Sequence, residues 1–143
     1  MIYVASSWRN PMHTAVCAAL KASGLDHYDF KADGGFSWTD VIPEHPRVPR
    51  AEEISLDAYL RGMEHPRANQ GYMRDWSAMV ASDTVVLVLP CGRSAHLELG
   101  WAVGRKRTAV LLTDPVVPEL MYKMVDYLAP SLLDLLGWLG VTD

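Results

Sequence analysis

Six consecutive residues, Thr84-Val85-Val86-Leu87-Val88-Leu89, run without a charge or a break and are rich in β-branched side chains. A strand with one wet face alternates apolar and polar residues. An unbroken apolar run instead suits a central parallel strand covered on both faces. Parallel neighbours need long crossover connections, usually helices. The chain supplies them. Met1-Ile2-Tyr3-Val4-Ala5 reads as a short buried strand, followed by the polar loop Ser6-Ser7-Trp8-Arg9-Asn10. Asn10 is placed to cap a helix beginning at Pro11, where a missing N–H costs nothing. Met12, Ala15, Val16, Ala19 and Leu20 then recur at helical spacing, and Gly24 supplies the stop. His27-Tyr28-Asp29-Phe30 reads as a second strand.

Residues 31–53 change character: Gly34-Gly35, Pro43, Pro46 and Pro49 forbid a regular element, although Phe36 and Trp38 are embedded there. Such a stretch is either a binding loop or lid, or a surface loop. Residues 55–64 and 67–81 read as helices interrupted by Pro66. After the central run, Pro90-Cys91-Gly92-Arg93 makes a tight connection, and Ser94 is expected to cap a helix ending near Gly104. Residues 108–112 form a further buried strand. Residues 118–140 read as helical with a break at Pro130, and Leu132, Leu133, Leu135, Leu136 and Leu139 offer an apolar face to the core or to a partner subunit. Strands alternating with helices predict one α/β domain over residues 1–143. The expected architecture is a flavodoxin-like or Rossmann-like central parallel sheet with helices on both faces.

Bulk charge narrows the partners. A formal net charge of −4 argues against general affinity for a nucleic acid polymer or an anionic membrane. No apolar run reaches membrane-spanning length and no signal-peptide pattern opens the chain. Cys17 and Cys91 give no disulfide framework, which fits reduced thiols and predicts a cytoplasmic protein.

In the flavodoxin-like order, the first strand and the strand at 84–89 meet at the topological switch point, where ligands bind at the carboxyl ends of strands. That selects the loops 6–10 and 90–96. With Ser94 at the cap, Glu98 lies one turn further on the same helix face, beside N–H groups able to hold a phosphate or hydroxyl. Gly100 is expected to let this helix approach the sheet closely. A carboxylate beside a sugar site can stabilise or trap an oxocarbenium-like centre, and a second acid such as Asp75 can assist a departing base. Spacing alone leaves Glu98 open between this role and that of a surface glutamate near a helix N-terminus.

Taken together, Ile2-Tyr3 with the loop 6–10, Asp75 and Asp83 ahead of an apolar strand, and Gly92-Arg93-Ser94-Ala95-His96-Leu97-Glu98-Leu99-Gly100 resemble the nucleoside 2-deoxyribosyltransferase family. Its superfamily includes nucleoside 5′-monophosphate N-glycosidases. The similarity spans most of residues 1–113 and is most specific in the segment ending Glu98-Leu99-Gly100-Trp101-Ala102. It implies a domain using neither metal nor organic cofactor, acting on a small nucleoside or nucleotide, and forming a homo-oligomer that completes its sites across an interface. The resemblance makes Glu98 the nucleophile at the anomeric carbon, Tyr3 the residue orienting it, and Asp75 the group handling the leaving base. Ser94 would contact the 5′ end of the sugar, with Ser6, Ser7 and Arg9 as 5′-phosphate partners.

Two departures leave the branch open between hydrolase and transferase. Gly92 stands where deoxyribosyltransferases carry a base-recognising aspartate, and the bulky Ser7-Trp8-Arg9 replaces a glycine-rich first loop. The other residues on the selected loops admit two readings each. Arg9 and Arg93 are a phosphate clamp or solvated cations, His96 a phosphate contact or proton donor or else a surface histidine, and Trp8 and Trp38 base-stacking platforms or ordinary aromatics. Trp101 and Trp138 read as core or interface. Cys91 has no fixed histidine partner in the sequence and is not expected to be a nucleophile. Two other functions fit the same crevice: NAD glycohydrolysis, and nucleotide binding without catalysis.

Overall fold

The computed structural model describes residues 1–32, 34–42 and 53–142. The proline-rich part of the expected loop, with Pro43, Pro46 and Pro49, lies outside the described residues. The elements run β1 (Ile2–Ala5), α1 (His13–Ala22), β2 (His27–Tyr28), α2 (Leu56–Met63), α3 (Pro66–Ala81), β3 (Thr84–Val88), α4 (Arg93–Ala102), β4 (Arg107–Leu111), β5 (Tyr127–Ala129) and α5 (Leu132–Trp138). Short 3-10 turns occupy Trp38–Asp40 and Leu120–Met124. All strand pairs are parallel, in the order β2-β1-β3-β4-β5. This is the flavodoxin-like order, so the α/β parallel-sheet architecture expected from the sequence is the one observed.

The apolar run is central, as its pattern requires: β3 is buried along its whole length between β1 and β4. Alternation sorts its side chains. Ile2, Val4, Val86, Val88, Ala109 and Leu111 join Val16, Cys17 and Leu20 of α1 and Leu135 of α5 in one core layer. Tyr3, Ala5, Val85, Leu87 and Val110 therefore point to the other face of the sheet. There α4 lies against β1, β3 and β4, burying Ala95, Leu99 and Ala102.

The chain groups into two compact units, one of Met1–Asp29 with Ala78–Asp143 and one of Phe30–Ser77. The first holds the sheet. The second has its own small core of Val41, Ile42 and Ala58, packed by Phe36, Trp38 and Ile54. Gly62 of α2 is part of that packing, since a Cβ there would come within 2.7 Å of the Ile42 side chain.

Several local expectations are corrected. Helix α1 starts at His13, two residues later than the proline suggests, so the bond that Asn10 accepts from the Met12 N–H falls just ahead of the helix. Pro66 does not separate two helices from outside but is the first residue of α3, where its missing N–H is harmless. The span 118–140 is not helical throughout. Tyr127–Ala129 forms β5, which satisfies the open edge of β4 through Asp126 N–H to Thr108 O (3.0 Å) and Leu112 N–H to Ala129 O (3.0 Å). Three residues are too few for a period-2 pattern to show. Pro130 ends that strand, and Ser131 then caps α5 by accepting from the Asp134 N–H at 3.1 Å. In α5 the apolar face is turned to the core through Leu132, Leu135, Leu136 and Leu139, leaving Leu133 exposed. Gly100 is exposed and a Cβ there would meet nothing, so the small residues fitting α4 to the sheet are Ala95 and Ala102.

Candidate active site

The two loops selected by topology both leave the carboxyl edge of the sheet, at the ends of β1 and β3. Asn10 joins them. Its side-chain Nδ2 donates to Val88 O of β3 at 2.8 Å while its Oδ1 accepts from the Met12 N–H at 2.8 Å. The residue is buried, as a side chain with both amide ends engaged must be to repay its desolvation. The sequence led to the expectation that Asn10 caps a helix starting at Pro11; its side chain does accept the N–H two residues on, in an Asx turn ahead of α1, while the bond to Val88 was not foreseen.

Within the loop, Ser6 is buried and its Oγ has no hydrogen-bond partner among the described residues. Ser7 is half-buried, while Trp8 and Arg9 stand exposed at the tip. A buried hydroxyl left unpaired costs stability and marks a place where a ligand or water can complete it.

Helix α4 opens differently from expectation. Its N-cap position is Gly92, which has no side chain to cap with, so Ser94 sits inside the first turn and is exposed. With no capping side chain at Gly92, first-turn N–H groups remain available to an anion, and Arg93, the first residue of the helix, is exposed. Glu98 follows one turn after Ser94. It is half-buried, and its Oε2 is withdrawn from solvent. It flanks Ala95, Leu99 and Ala102, the residues that face the sheet. Tyr3 is buried in β1 on the sheet face that α4 covers and stacks on Tyr28, with ring centroids 5.4 Å apart.

Burial, aided by the nearby Glu98 charge, pushes the Cys91 thiol up to about 12. This favours the thiol over the thiolate at neutral pH. His96 is neither a loose surface residue nor an open phosphate contact. Its Nδ1 lies 2.7 Å from Gly92 O and its Nε2 lies 2.7 Å from the Tyr122 hydroxyl, against which the ring also stacks. Because a carbonyl only accepts, Nδ1 carries the proton and Nε2 accepts from Tyr122. Burial chiefly, then Cys91 and Glu119, raises the Tyr122 hydroxyl above its ordinary value, which keeps it a donor. Tyr122 was not singled out from sequence, since nothing local ties it to a residue 26 positions away.

A hollow of about 290 Å³ opens here, lined by residues that include Leu89, Pro90, Cys91, His96, Glu119 and Tyr122. A second, of about 320 Å³, has a more apolar wall with Met12, Leu89, Leu111 and Leu132. They share Leu89 and Thr113. The residues lining the first hollow include His96 but not Glu98, Ser94 or Arg93.

Of the other expected residues, Asp75 is half-buried on α3 in the second unit. Trp38 packs inside that unit, 5.2 Å edge-on from Phe36 and 5.8 Å from Tyr59. Asp83 is exposed at the amino end of β3, where its backbone N–H bonds to Met1 O. Trp101 lies beneath the Arg105 guanidinium, and Trp138 stacks on Tyr127 against the core.

No helix among the described residues is long and apolar enough to cross a membrane. No protein-family model matches the chain, and no curated protein matches it.

Proposed function

We propose that this chain cleaves or exchanges the N-glycosidic bond of a nucleoside or nucleoside 5′-monophosphate, with Glu98 as nucleophile. The observation that carries the reading is the environment of Glu98: half-buried on the second turn of α4, one carboxylate oxygen shielded from water, at the switch point of a flavodoxin-like sheet. Sugar-binding crevices of such sheets open there.

In the first step, a Glu98 oxygen bonds to the anomeric carbon as the carbon–nitrogen bond breaks and its electron pair leaves with the base. By the resemblance, Asp75 is the group that handles the leaving base. In the second step, water or an acceptor base attacks the anomeric carbon and frees Glu98, with the incoming nucleophile's proton passing to solvent or to a basic group. Two inversions give net retention. Tyr3 orients the carboxylate. Ser6, Ser7, Arg9, Arg93, Ser94 and the uncapped first turn of α4 would hold the 5′ end of the sugar and any phosphate it bears. Gly92 and Trp8 would border the base, and His96, already held by Gly92 and Tyr122, would shape the wall beside it. The chemistry asks for no organic cofactor. Family resemblance also predicts a homo-oligomer, which light scattering of the purified chain checks.

The test is a chromatographic assay for released base over ribo- and deoxyribonucleosides, their 5′-monophosphates and NAD, with and without an acceptor base. Free base without acceptor identifies a hydrolase; a new nucleoside only with acceptor identifies a transferase. Glu98→Gln should lower turnover by at least about a thousandfold while the circular dichroism spectrum stays unchanged, because loss of a nucleophile removes the covalent route. Near-wild-type activity in that variant would remove Glu98 from the reaction. Turnover of NAD alone would replace the nucleotide reading by a dinucleotide glycohydrolase, and equal ligand affinity with no product from either protein would indicate a binding module.

A further inference from the structure

A cluster on the opposite face of the sheet has no part in this chemistry. His13 is the first residue of α1 and Cys17 lies four residues later, so both side chains leave the same helix face. Asp29 follows β2 directly. His13 is fully buried, Cys17 is buried, and the Asp29 side chain is 30% exposed. His13 Nε2 lies 2.7 Å from Asp29 Oδ1 and 3.6 Å from Cys17 Sγ. The three donor atoms are all within 4.8 Å of one another.

One ring nitrogen faces both the thiol and the carboxylate. A single ring nitrogen has either one hydrogen or one lone pair, so it cannot serve the thiol and the carboxylate equally. Nor is the cluster a nucleophile–base relay, which needs the thiol and the carboxylate on opposite nitrogens of the imidazole. Sulfur, nitrogen and oxygen this close together make a borderline-soft donor set. Metal–ligand bonds of roughly 2.0–2.3 Å around a tetrahedral centre put donors roughly 3.3–3.7 Å apart. The sulfur–nitrogen distance already matches, the nitrogen–oxygen distance needs to widen by about half an ångström, and the sulfur–oxygen distance, within 4.8 Å, closes by a rotation of the partly exposed Asp29 side chain.

We propose that His13, Cys17 and Asp29 form a binding site for one zinc-class divalent transition-metal ion. On binding, the Cys17 thiol releases its proton to solvent, His13 offers the Nε2 lone pair with its proton on Nδ1, and Asp29 binds as the carboxylate. Thiolate and carboxylate balance the two positive charges. Three protein donors leave a fourth position for water, on the side where Asp29 reaches solvent. The ion ties the start of α1 to the end of β2, and its binding therefore adds to the stability of the sheet unit.

The experiment is a titration of the full-length, chelator-treated chain with Co²⁺, followed by displacement with Zn²⁺. The proposal expects one Co²⁺ per chain, a thiolate-to-cobalt charge-transfer band, loss of that band on adding Zn²⁺, and a higher Tm with saturating Zn²⁺. Cys17→Ser should abolish the band, and Asp29→Asn should weaken Co²⁺ binding at least tenfold, while Cys91→Ser leaves both intact. No band in the wild-type chain, a band that survives Cys17→Ser, unaltered affinity in Asp29→Asn, or a Tm indifferent to Zn²⁺ would each overturn it. The wild-type band and Tm decide the matter even if Cys17→Ser, which alters the core, does not fold. None of these readouts depends on glycosidase activity.

Discussion

Both ends of the Asn10 amide are engaged, one with the Val88 carbonyl and one with the Met12 N–H. Asn10→Ala removes the link between the first loop and β3, and loss of buried hydrogen bonds of this kind costs about 1–3 kcal/mol. Urea unfolding should show a lower midpoint with an unchanged slope; an unchanged midpoint would mean the link contributes nothing to stability. Cys91 gives a second residue-level prediction. A thiol pushed from 9.0 to about 12 favours the protonated form in the fold. Its contribution to stability is therefore fully present below pH 9 and is lost as pH rises from 9 toward 12. Alkylation of the native chain by iodoacetamide at pH 8, read by mass spectrometry, should leave Cys91 largely unmodified until denaturant is added; rapid native labelling would contradict the shift. The sequence pointed to Cys91 being inert, but through the lack of a histidine in the motif. The structure has His96 Nδ1 3.8 Å from the Cys91 sulfur, and what holds the thiol protonated is burial, then the Glu98 charge.

Helix ends separate what local sequence encodes from what it merely permits. Gly24 follows α1 at a φ of 71°, with Leu25 N–H bonded to Leu20 O and Gly24 N–H to Lys21 O. That is a Schellman stop, and the glycine announced it because few other residues adopt the left-handed region. The same pair of bonds closes α5 at Gly140. N-termini were less legible, since several serines and asparagines compete for each cap and only the tertiary path selects one. Ser55 and Ser131 cap α2 and α5, whereas Ser94 caps nothing. Ser131→Ala should therefore destabilise the chain by about 1 kcal/mol. Ser94→Ala should leave thermal unfolding unchanged and, if α4 holds a 5′-phosphate, raise KM for the phosphorylated substrate. A drop in Tm for Ser94→Ala equal to that for Ser131→Ala would restore the capping role.

Across the whole molecule, stability should follow the layering of the sheet. β1, β3 and β4 are buried between neighbours or under helices, while β2 and β5 form the edges. Hydrogen exchange followed by mass spectrometry should find the slowest amides in β1, β3 and β4, with faster exchange in α2, where Leu56, Tyr59, Leu60 and Met63 are exposed. Equal protection in α2 and these strands would show that they open together. The sequence by itself determined the α/β class, the central place of residues 84–89 and the two loops at the carboxyl edge. Each follows from local quantities: hydrophobic periodicity, glycine and proline geometry, and the small set of ways in which parallel strands can be connected. Only the tertiary structure decided the rest. The three-residue β5, the Asn10 link, the His96–Tyr122 pair and the His13–Cys17–Asp29 cluster all join groups that become neighbours through the fold. Hydrogen bonds and donor geometries act over a few ångströms in space, and a linear sequence carries no direct record of which distant residues come that close.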